Sequence, residues 1–399
     1  MLPPPPSSRP DPKPVFCCWL TTTKVYVNTR LNLDKMETTN KFKTDFKYYK
    51  QKCPLPDFSK VLDFSNIKEE TGLKRLHADI SGKFVERDNE EAFVAGLMIP
   101  PSEWVMYEVL DKPGLLFIKN PFNAIGQRYW IYRCLRDYTR RPNRLNIDAH
   151  HILNKSNEWW DSCQGDDEHS KSLNRKLRWA TMGYHHNWDT KVYSEDMKDQ
   201  FPTDLADLSR YVGRIIGFQD DFSAEAAIVN FYHFDSTLSG HTDHSEMNMT
   251  APLFSFRYDV HFGQTAIFLL GGPSLDVAPT AMYIKSGDIV IMSGHSRKCY
   301  HGIPKIVPSK EAPWNMDNIS PLADCNFHSR TSEENEEFSP NPPCKRSRVE
   351  SSVQSEIIQN LSCEKFWKPF CRYIEHSRIN MNVRQVLFKG DKALDNKGT

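Results

Sequence analysis

The segment LFSFRYDVHFGQTAIFLLGG, residues 253–272, contains two runs of apolar, aromatic and β-branched residues that are separated by Gly263. Runs of this kind that end at glycine are typical of β-strands joined by tight turns. Similar segments lie on both sides of it, namely EAAIVNFY (225–232), TAMYIKSGDIVIMSG (280–294) and RINMNVRQVLF (378–388). Their alternation and their Gly-Asp and Gly-Gly breaks predict an antiparallel sandwich or barrel within residues 221–399.

The residues before this β region have a different pattern, and we predict that residues 36–220 are mainly helical. The segment AIGQRYWIYRCLRDYTRR (124–141) places apolar side chains close to helical spacing, at Ile125, Tyr129, Leu135 and Tyr138. The segment PTDLADLSRYVGRIIG (202–217) predicts the last helix of this region, with Thr203 as its N-cap. The chain as a whole is therefore expected to be an α+β protein.

Two polar segments are expected to lie outside the folded core. Residues 1–35 begin with MLPPPPSSRPDPKP, and proline-rich sequence of this kind cannot form a helix or a core, so we predict a disordered extension. Residues 309–365 contain few apolar side chains and many Ser, Pro and charged ones, which predicts a disordered insert in the β region. Its KRSR motif (345–348) matches a nuclear import signal, although short basic runs are also common in solvated loops.

The composition limits the functional classes. Lys and Arg number 51, as do Asp and Glu, so any nucleic acid must be held by a local basic patch and not by the overall charge. The ten cysteines form no CxxC pair, which predicts free thiols in a reducing compartment. No apolar run approaches the roughly 20 residues that span a bilayer, so we expect a soluble protein without a membrane partner.

A candidate metal site lies in GHTDHSE (240–246). His241 and Asp243 are two residues apart, so on a strand they share one face and can reach one ion. His301, in SGHSRKCYHGIPKI (293–306), follows a later β run and is the candidate third ligand. Two histidines and one carboxylate form the facial triad of non-heme Fe(II) oxygenases, whereas His-x-Asp alone is equally compatible with a polar turn. His244 and Glu246 are expected to face solvent or to support the ligands.

A candidate co-substrate site lies on the strands around this motif. Arg378 and Arg384 are six residues apart and share one face of the last strand, and arginine can bind a carboxylate with two charge-assisted hydrogen bonds. A metal with open positions can bind a keto-acid co-substrate, whose far carboxylate the arginines could hold. Asn230 and Tyr232 share one face of the strand before the metal motif and could donate hydrogen bonds to this keto acid. The alternatives are an edge strand with both arginines in water, and a core tyrosine beside a structural asparagine.

Taken together, these motifs resemble the AlkB family of Fe(II)/2-oxoglutarate dioxygenases, and most closely its animal homologue-one type. The resemblance covers roughly residues 42–308 and 366–388. It implies a double-stranded β-helix (jelly-roll) core with helical N-terminal elements and a substrate lid, and Fe(II), 2-oxoglutarate and O2 as cofactors. The implied iron ligands are His241, Asp243 and His301. The implied 2-oxoglutarate contacts are Arg378 at the distal carboxylate, supported by Asn230, Tyr232 and Arg384.

The resemblance also implies an activity, namely oxidative demethylation of N-methylated bases in nucleic acid. The expected substrate is a tRNA stem-loop that carries N1-methyladenosine. Further candidates are 5-methylcytosine in tRNA, which would be oxidised, and N6-methyladenine in unpaired or single-stranded DNA. Loops and unpaired strands are favoured because a base must leave its stack to react. Ser245 stands where bacterial members have an acidic residue, so their base preference does not carry over. We expect a monomer in the mitochondrion and nucleus, with the cytoplasm as a third compartment.

Candidate substrate contacts lie in the N-terminal region. The predicted contact surface consists of cations with interleaved aromatic residues, represented by Arg128, Arg133 and Arg136. Tyr184 stands where the family has lid residues. The alternatives are a helix with its aromatic residues in the core, and a packing role for Tyr184. Two other functions remain open: a demethylase or hydroxylase of protein side chains with the same iron site, and a non-catalytic jelly-roll binding module with a structural metal.

Overall fold

The computed structural model describes residues 40–67, 72–78, 89–150, 152–153, 157–218, 222–249, 251, 253–316 and 345–394. The strands are β1 (Leu73–Leu76), β2 (Val105–Val109), β3 (Leu115–Lys119), β4 (Arg144–Leu145), β5 (Trp179–Gly183), β6 (Ala226–His233), β7 (Leu238–His241), β8 (Leu253–Gly263), β9 (Thr265–Leu270), β10 (Thr280–Ile284), β11 (Ile289–Met292), β12 (His301–Val307) and β13 (Ser377–Arg384). The α-helices are α1 (Lys41–Lys50), α2 (Asn89–Gly96), α3 (Ala124–Tyr132), α4 (Trp159–Ser162), α5 (Glu168–Lys176), α6 (Thr203–Ile215), α7 (Lys345–Ser362) and α8 (Glu364–Ile374). None of the described helices is long and apolar enough to cross a membrane.

The strands from β6 to β13 form the predicted jelly roll. They alternate between two antiparallel sheets: β11-β8-β13-β6 lie side by side in the large sheet, and β10-β9-β12-β7 form the small sheet. The interior between the sheets contains side chains such as Phe268, Ile284 and Ile303. The double-stranded β-helix expected from the sequence is therefore confirmed.

The first five strands extend the large sheet at both edges. β3 pairs with β11 and carries β2 and β1 beyond it, while β5 pairs with β6 and carries β4. The prediction that residues 36–220 are mainly helical did not include these five strands, although helices contribute more residues than strands to the described part of this region. Each run is at most five residues long, and the periodicity of so short a run does not distinguish a strand from a helix. Their positions are set by tertiary pairing: β3 pairs with β11, which is about 170 positions away, and β5 pairs with β6.

The two helices predicted most directly from the sequence are present. α3 begins after Asn123, whose side chain accepts from the backbone N–H of Gly126 at 2.7 Å, and it continues as a π-helical turn through Arg133–Asp137. α6 buries Leu205, Leu208 and Val212 at helical spacing. Thr203 is the first residue of α6 and not its cap, because Pro202 occupies the N-cap position and no side chain caps the helix.

The predicted disordered insert is partly ordered. α7 occupies Lys345–Ser362, with the KRSR motif in its first turn. Trp314, near the start of the insert, and Leu361, near the end of α7, are buried. Arg128 explains this anchoring, since its guanidinium donates to the carbonyl oxygens of Trp314 at 2.7 Å and Leu361 at 2.9 Å. The rest of the insert, residues 317–344, and the extension 1–35 lie outside the described residues.

The helices cover the two outer faces of the jelly roll. Phe231, Ile379 and Met381 of the large sheet pack against α3, α4, α6 and α8 in one apolar cluster. α1 covers the small sheet, where Phe42 contacts Ile267 and Leu269. A Cβ on Gly240 would lie 2.3 Å from the Phe42 ring, so only glycine lets the helix approach the residue before His241 this closely.

Candidate metal centre

Strand pairing brings the two candidate histidine ligands together. His241 ends β7 and lies directly opposite His301, which begins β12, in the antiparallel register of the small sheet. Their ring centroids are 4.3 Å apart. Residues that are 60 positions apart in the chain are neighbours here only because β12 inserts between β7 and β9.

Asp243 completes the cluster from a loop and not from the strand. β7 ends at His241, so the expectation of one shared strand face is wrong, although the three side chains do converge. Asp243 lies 3.6 Å from His241 Nε2 and 3.7 Å from His301 Nε2. Ligands at adjacent corners of an octahedron with bonds of about 2.1 Å lie about 3 Å apart. The carboxylate is therefore close to that spacing from both imidazoles, and the three ligand atoms all lie within 4.8 Å of one another.

Backbone carbonyl groups orient both imidazoles for metal binding. His241 Nδ1 lies 2.9 Å from the carbonyl oxygen of Ser239, and His301 Nδ1 lies 3.1 Å from that of Cys299. A carbonyl oxygen only accepts hydrogen bonds, so each Nδ1 carries the proton and each Nε2 presents its lone pair to the centre of the cluster. This is the usual arrangement of metal-binding histidines.

Asp243 is ionised despite its position in the interior. Burial opposes its ionisation, but the Arg384 guanidinium, joined by His301 and His241 whenever these are protonated, outweighs this effect and holds the pKa of Asp243 well below its usual range. Arg384 Nη2 donates to its carboxylate at 3.2 Å. The cluster therefore offers two neutral nitrogens and one carboxylate, a donor set that suits Fe(II).

A buried ion network, which sequence reasoning did not identify, surrounds this carboxylate. Arg297 donates to the main-chain oxygen of Asp243 and, through Nη2, to Glu246 at 2.6 Å. Arg384 Nε lies 3.2 Å from Glu246, and the Tyr193 hydroxyl donates to the same carboxylate at 3.2 Å. Glu246 was expected to face solvent or to support the ligands, and it is the support. Nothing in the local sequence around Arg297 indicates its role.

The candidate co-substrate residues converge on one face of the large sheet. Arg378 lies directly opposite Tyr232, and Asn380 lies opposite Asn230, in the β13–β6 pair. Alternation turns these residues to the jelly-roll interior, whereas Ile379 and Phe231 face the helices. Arg378 is fully buried, and its Nη1 donates to the carbonyl oxygens of Gln264 at 2.7 Å and Ile284 at 3.2 Å. A charged group in such an interior indicates an anionic ligand.

Comparisons with known proteins identify this arrangement. Residues 114–384 match the model of the 2OG-Fe(II) oxygenase superfamily. The chain is 36% identical over 359 residues to the nucleic acid dioxygenase ALKBH1 of Homo sapiens. The aligned part covers 87% of this chain and 84% of that protein. The chain belongs to the AlkB family of this superfamily. It is a 2-oxoglutarate-dependent dioxygenase, and its cofactors are Fe(II), 2-oxoglutarate and O2.

Other relatives of this dioxygenase come from yeast and plants. It is 32% identical over 295 residues to the tRNA demethylase abh1 of Schizosaccharomyces pombe. The aligned part covers 69% of this chain and 87% of that protein. It is 29% identical over 371 residues to the DNA N(6)-methyladenine demethylase ALKBH1A of Arabidopsis thaliana, covering 84% of this chain and 90% of that protein. The names of these relatives include both RNA and DNA substrates.

The predicted arginine surface of this dioxygenase is largely internal. Arg128 is 1% exposed and pairs with Glu364 at 2.6 Å, in addition to its two carbonyl contacts. Arg133 binds Asp204 at 2.8 Å and Asp137 at 2.7 Å. The prediction of a nucleic-acid contact is wrong for these two residues, whose charges are satisfied within the fold. Arg136 is half-buried and donates to the Tyr132 hydroxyl at 3.1 Å, and its contact with substrate stays a prediction.

Tyr184 is also internal. It is 1% exposed, and its hydroxyl is bonded to Glu195 and accepts from Lys198 Nζ at 2.8 Å, so the structure corresponds to the packing alternative. The segment that follows Tyr184 approaches the iron site, because the Tyr193 ring lies 5.4 Å from His186 and the Tyr193 hydroxyl reaches Glu246. Trp188, which is 42% exposed, packs edge-on against His186 at 4.8 Å. Sequence reasoning overlooked both residues, although HHNW (185–188) adjoins the segment that was considered.

Proposed function

We propose that this dioxygenase removes N-linked methyl groups from nucleic-acid bases, with tRNA containing N1-methyladenosine as its first substrate. The observation that carries the proposal is the convergence of the His-Asp-His cluster with an inward Arg378 inside one jelly roll. The names of the relatives, which include a tRNA demethylase and a DNA N(6)-methyladenine demethylase, support nucleic acid as the substrate class. Oxidation of 5-methylcytosine and demethylation of unpaired DNA are further candidate reactions of the same site.

The proposed roles follow from the geometry. His241, Asp243 and His301 would hold Fe(II). Arg378 would bind the distal carboxylate of 2-oxoglutarate, with Asn230 and Tyr232 beside it, and Arg384 would position Asp243. When bound, Fe(II) would activate O2, which is the oxidant: one oxygen atom would go to 2-oxoglutarate, giving succinate and CO2, and the other to the methyl group, giving a hydroxymethyl group that leaves as formaldehyde.

The protein surface next to the site suits a base that has left its stack. Trp188 is 42% exposed and packs edge-on against the buried His186 at 4.8 Å, and burial lowers the pKa of His186, which favours its neutral imidazole. Lys191 lies 5.6 Å from the centre of the Trp188 ring, where it could contact a phosphate. We propose that residues 184–193 form the substrate lid.

The test is nucleoside mass spectrometry on tRNA stem-loops that contain N1-methyladenosine, incubated with the enzyme, Fe(II), 2-oxoglutarate and air. Wild type is expected to remove the methyl group, and Asp243→Ala is expected to lose both activity and Fe(II) binding, because one ligand and its charge are gone. Normal activity of Asp243→Ala would refute the assigned iron site. Succinate formation with methylated peptides but not with nucleic acid would transfer the function to protein side chains.

A further inference from the structure

A cavity of about 990 Å³ lies on the helical side of the large sheet. Its walls come from α5, from the loop that follows β6, and from the junction between α8 and β13. It shares no residue with the His-Asp-His cluster or with the co-substrate face of β13. The proposed mechanism therefore does not use it.

The lining of this cavity is rich in cations that the fold does not neutralise. Five cationic side chains line it, against three carboxylates, and the cations are Lys171, Arg175, Lys176, Arg178 and Arg372. Arg175, Lys176 and Arg372 are exposed, and none of the three has an ion-pair partner within the described ranges. In contrast to the arginines of α3, these charges are available to a ligand.

The charges are separated along α5. Glu168 begins the helix and pairs with Lys171 at 3.4 Å, whereas Arg175 and Lys176 lie in the last turn. Eight residues at about 1.5 Å each place the two ends about 12 Å apart. Arg178 follows this end of α5, and Arg372 of α8 also lines the cavity. The wall that α5 forms therefore has a basic end, although the net charge of the whole chain is zero.

An aromatic side chain accompanies the cations of the cavity lining. Phe234 lines the cavity and is 42% exposed. Exposed aromatic rings among cations are typical of surfaces that bind nucleic acid, because the cations contact phosphates and the ring contacts an unpaired base or sugar. The same combination was expected on α3, where the structure does not place it.

The cavity is remote from the iron site but connected to it by one strand. His376 lines the cavity and precedes β13, while Arg384 at the other end of β13 contacts Asp243. The seven residue-to-residue steps from Ser377 to Arg384, at about 3.4 Å each, span about 24 Å. Successive nucleotides of one strand rise about 3.4 Å, so this distance corresponds to roughly seven nucleotides.

We propose that this cavity is a second nucleic-acid contact, which holds phosphodiester groups of the substrate roughly seven nucleotides from the base that enters the iron site. The inference rests on the proposed function and deepens it, because it selects substrates with an ordered stem or a long strand beside the reacting base. A short methylated oligonucleotide fills only the iron site.

The test compares the salt dependence of RNA binding by wild type and by the triple variant Arg175→Gln, Lys176→Gln, Arg372→Gln. Fluorescence anisotropy is measured with a stem-loop RNA of about 20 nucleotides and with an oligonucleotide of about three, between about 50 and 200 mM salt. Loss of three phosphate contacts is expected to reduce the slope of log K against log salt by about 2–3 for the long RNA. The short RNA cannot reach the cavity, so it should give equal slopes.

The matched control is Lys52→Gln, Lys60→Gln, Lys310→Gln, which removes the same charge from exposed positions outside the cavity. It should retain the wild-type slope. An unchanged slope in the cavity variant, or an equal decrease in the control, overturns the proposal. If wild type binds no RNA or DNA, both the inference and the proposed function fail. If the slope decreases as expected but no base is demethylated, the contact stands and only the proposed chemistry fails.

Discussion

Replacing Glu246 by glutamine tests whether the ion network, and not only the three ligands, holds the metal centre. Glu246 is 4% exposed, accepts from Arg297 at 2.6 Å and lies 3.2 Å from Arg384 Nε. Glutamine keeps the shape but removes the charge, which leaves two buried guanidinium groups with Asp243 as their nearest anion. We expect Asp243 to be drawn towards the arginines and away from the two histidines.

The structure sets the size of the expected effect. Removing one partner of a buried ion pair costs about 3–5 kcal/mol of folding free energy. The unfolding entropy is about 2.1 cal/mol/K per residue, and the folded unit spans Thr39–Thr399. The variant should therefore lose roughly 4–7 °C in its melting temperature. Removal of a group that orients a metal ligand typically weakens metal binding by about 10–100-fold, and we expect the same for Fe(II) here.

Two measurements check this prediction. Thermal unfolding without metal gives the stability of the variant, and anaerobic titration with Fe(II) gives its metal affinity. Glu168→Gln is the control, because Glu168 has a side chain that is 93% exposed and its pair with Lys171 is expected to contribute less than about 1 kcal/mol. If Glu246→Gln matches wild type in both measurements, the network does not support the metal centre and the reasoning fails.

Three further predictions concern the co-substrate, the substrate and pH. Arg378→Lys should raise the KM for 2-oxoglutarate at least about tenfold in a succinate assay, since lysine cannot make the two-pronged contact of a guanidinium. Trp188→Ala should lower kcat/KM for methylated RNA by roughly 5- to 100-fold, whereas Trp188→Phe keeps a stacking face and should retain most of it. Burial raises the pKa of Asp288 to about 8 although its carboxylate accepts two backbone N–H groups. The unfolded carboxyl ionises near pH 4, so the unfolding free energy should fall as pH rises from about 4 to 8, by up to about 1.4 kcal/mol per pH unit, and Asp288→Asn should remove this fall in denaturant titrations.

The sequence predicted an antiparallel β region because its strands carry a local signature, and the resemblance specified the jelly roll. β9 and β11 are apolar runs with glycine near their ends and β13 alternates, and such runs are visible without any knowledge of their partners. β2, β3 and β5 lack this signature. β3 pairs with β11 and β5 pairs with β6, while β2 pairs with β3, and a local pattern does not reveal these tertiary contacts.

The metal site shows the same division between local and long-range causes. The spacing of His241 and Asp243 located the site, but the strand argument for it was wrong, since Asp243 lies beyond β7. Its position depends on Arg297 and Arg384, which are 54 and 141 residues away. The arginines of α3 show the converse error: a basic and aromatic pattern was interpreted as a surface, whereas Asp204 and Glu364 neutralise it internally.

The charges of the interior favour the binding of both cofactors together over the binding of either one alone. Asp243 and Glu246 balance Arg297 and Arg384, so the network is neutral before any ligand binds. A divalent ion alone would add two uncompensated positive charges to a region that already contains the buried Arg378, which is costly in a low-dielectric interior. 2-Oxoglutarate carries two carboxylates, and its two negative charges offset those of the ion. The ion and the dianion together therefore leave the charge of the interior unchanged, whereas either one alone does not.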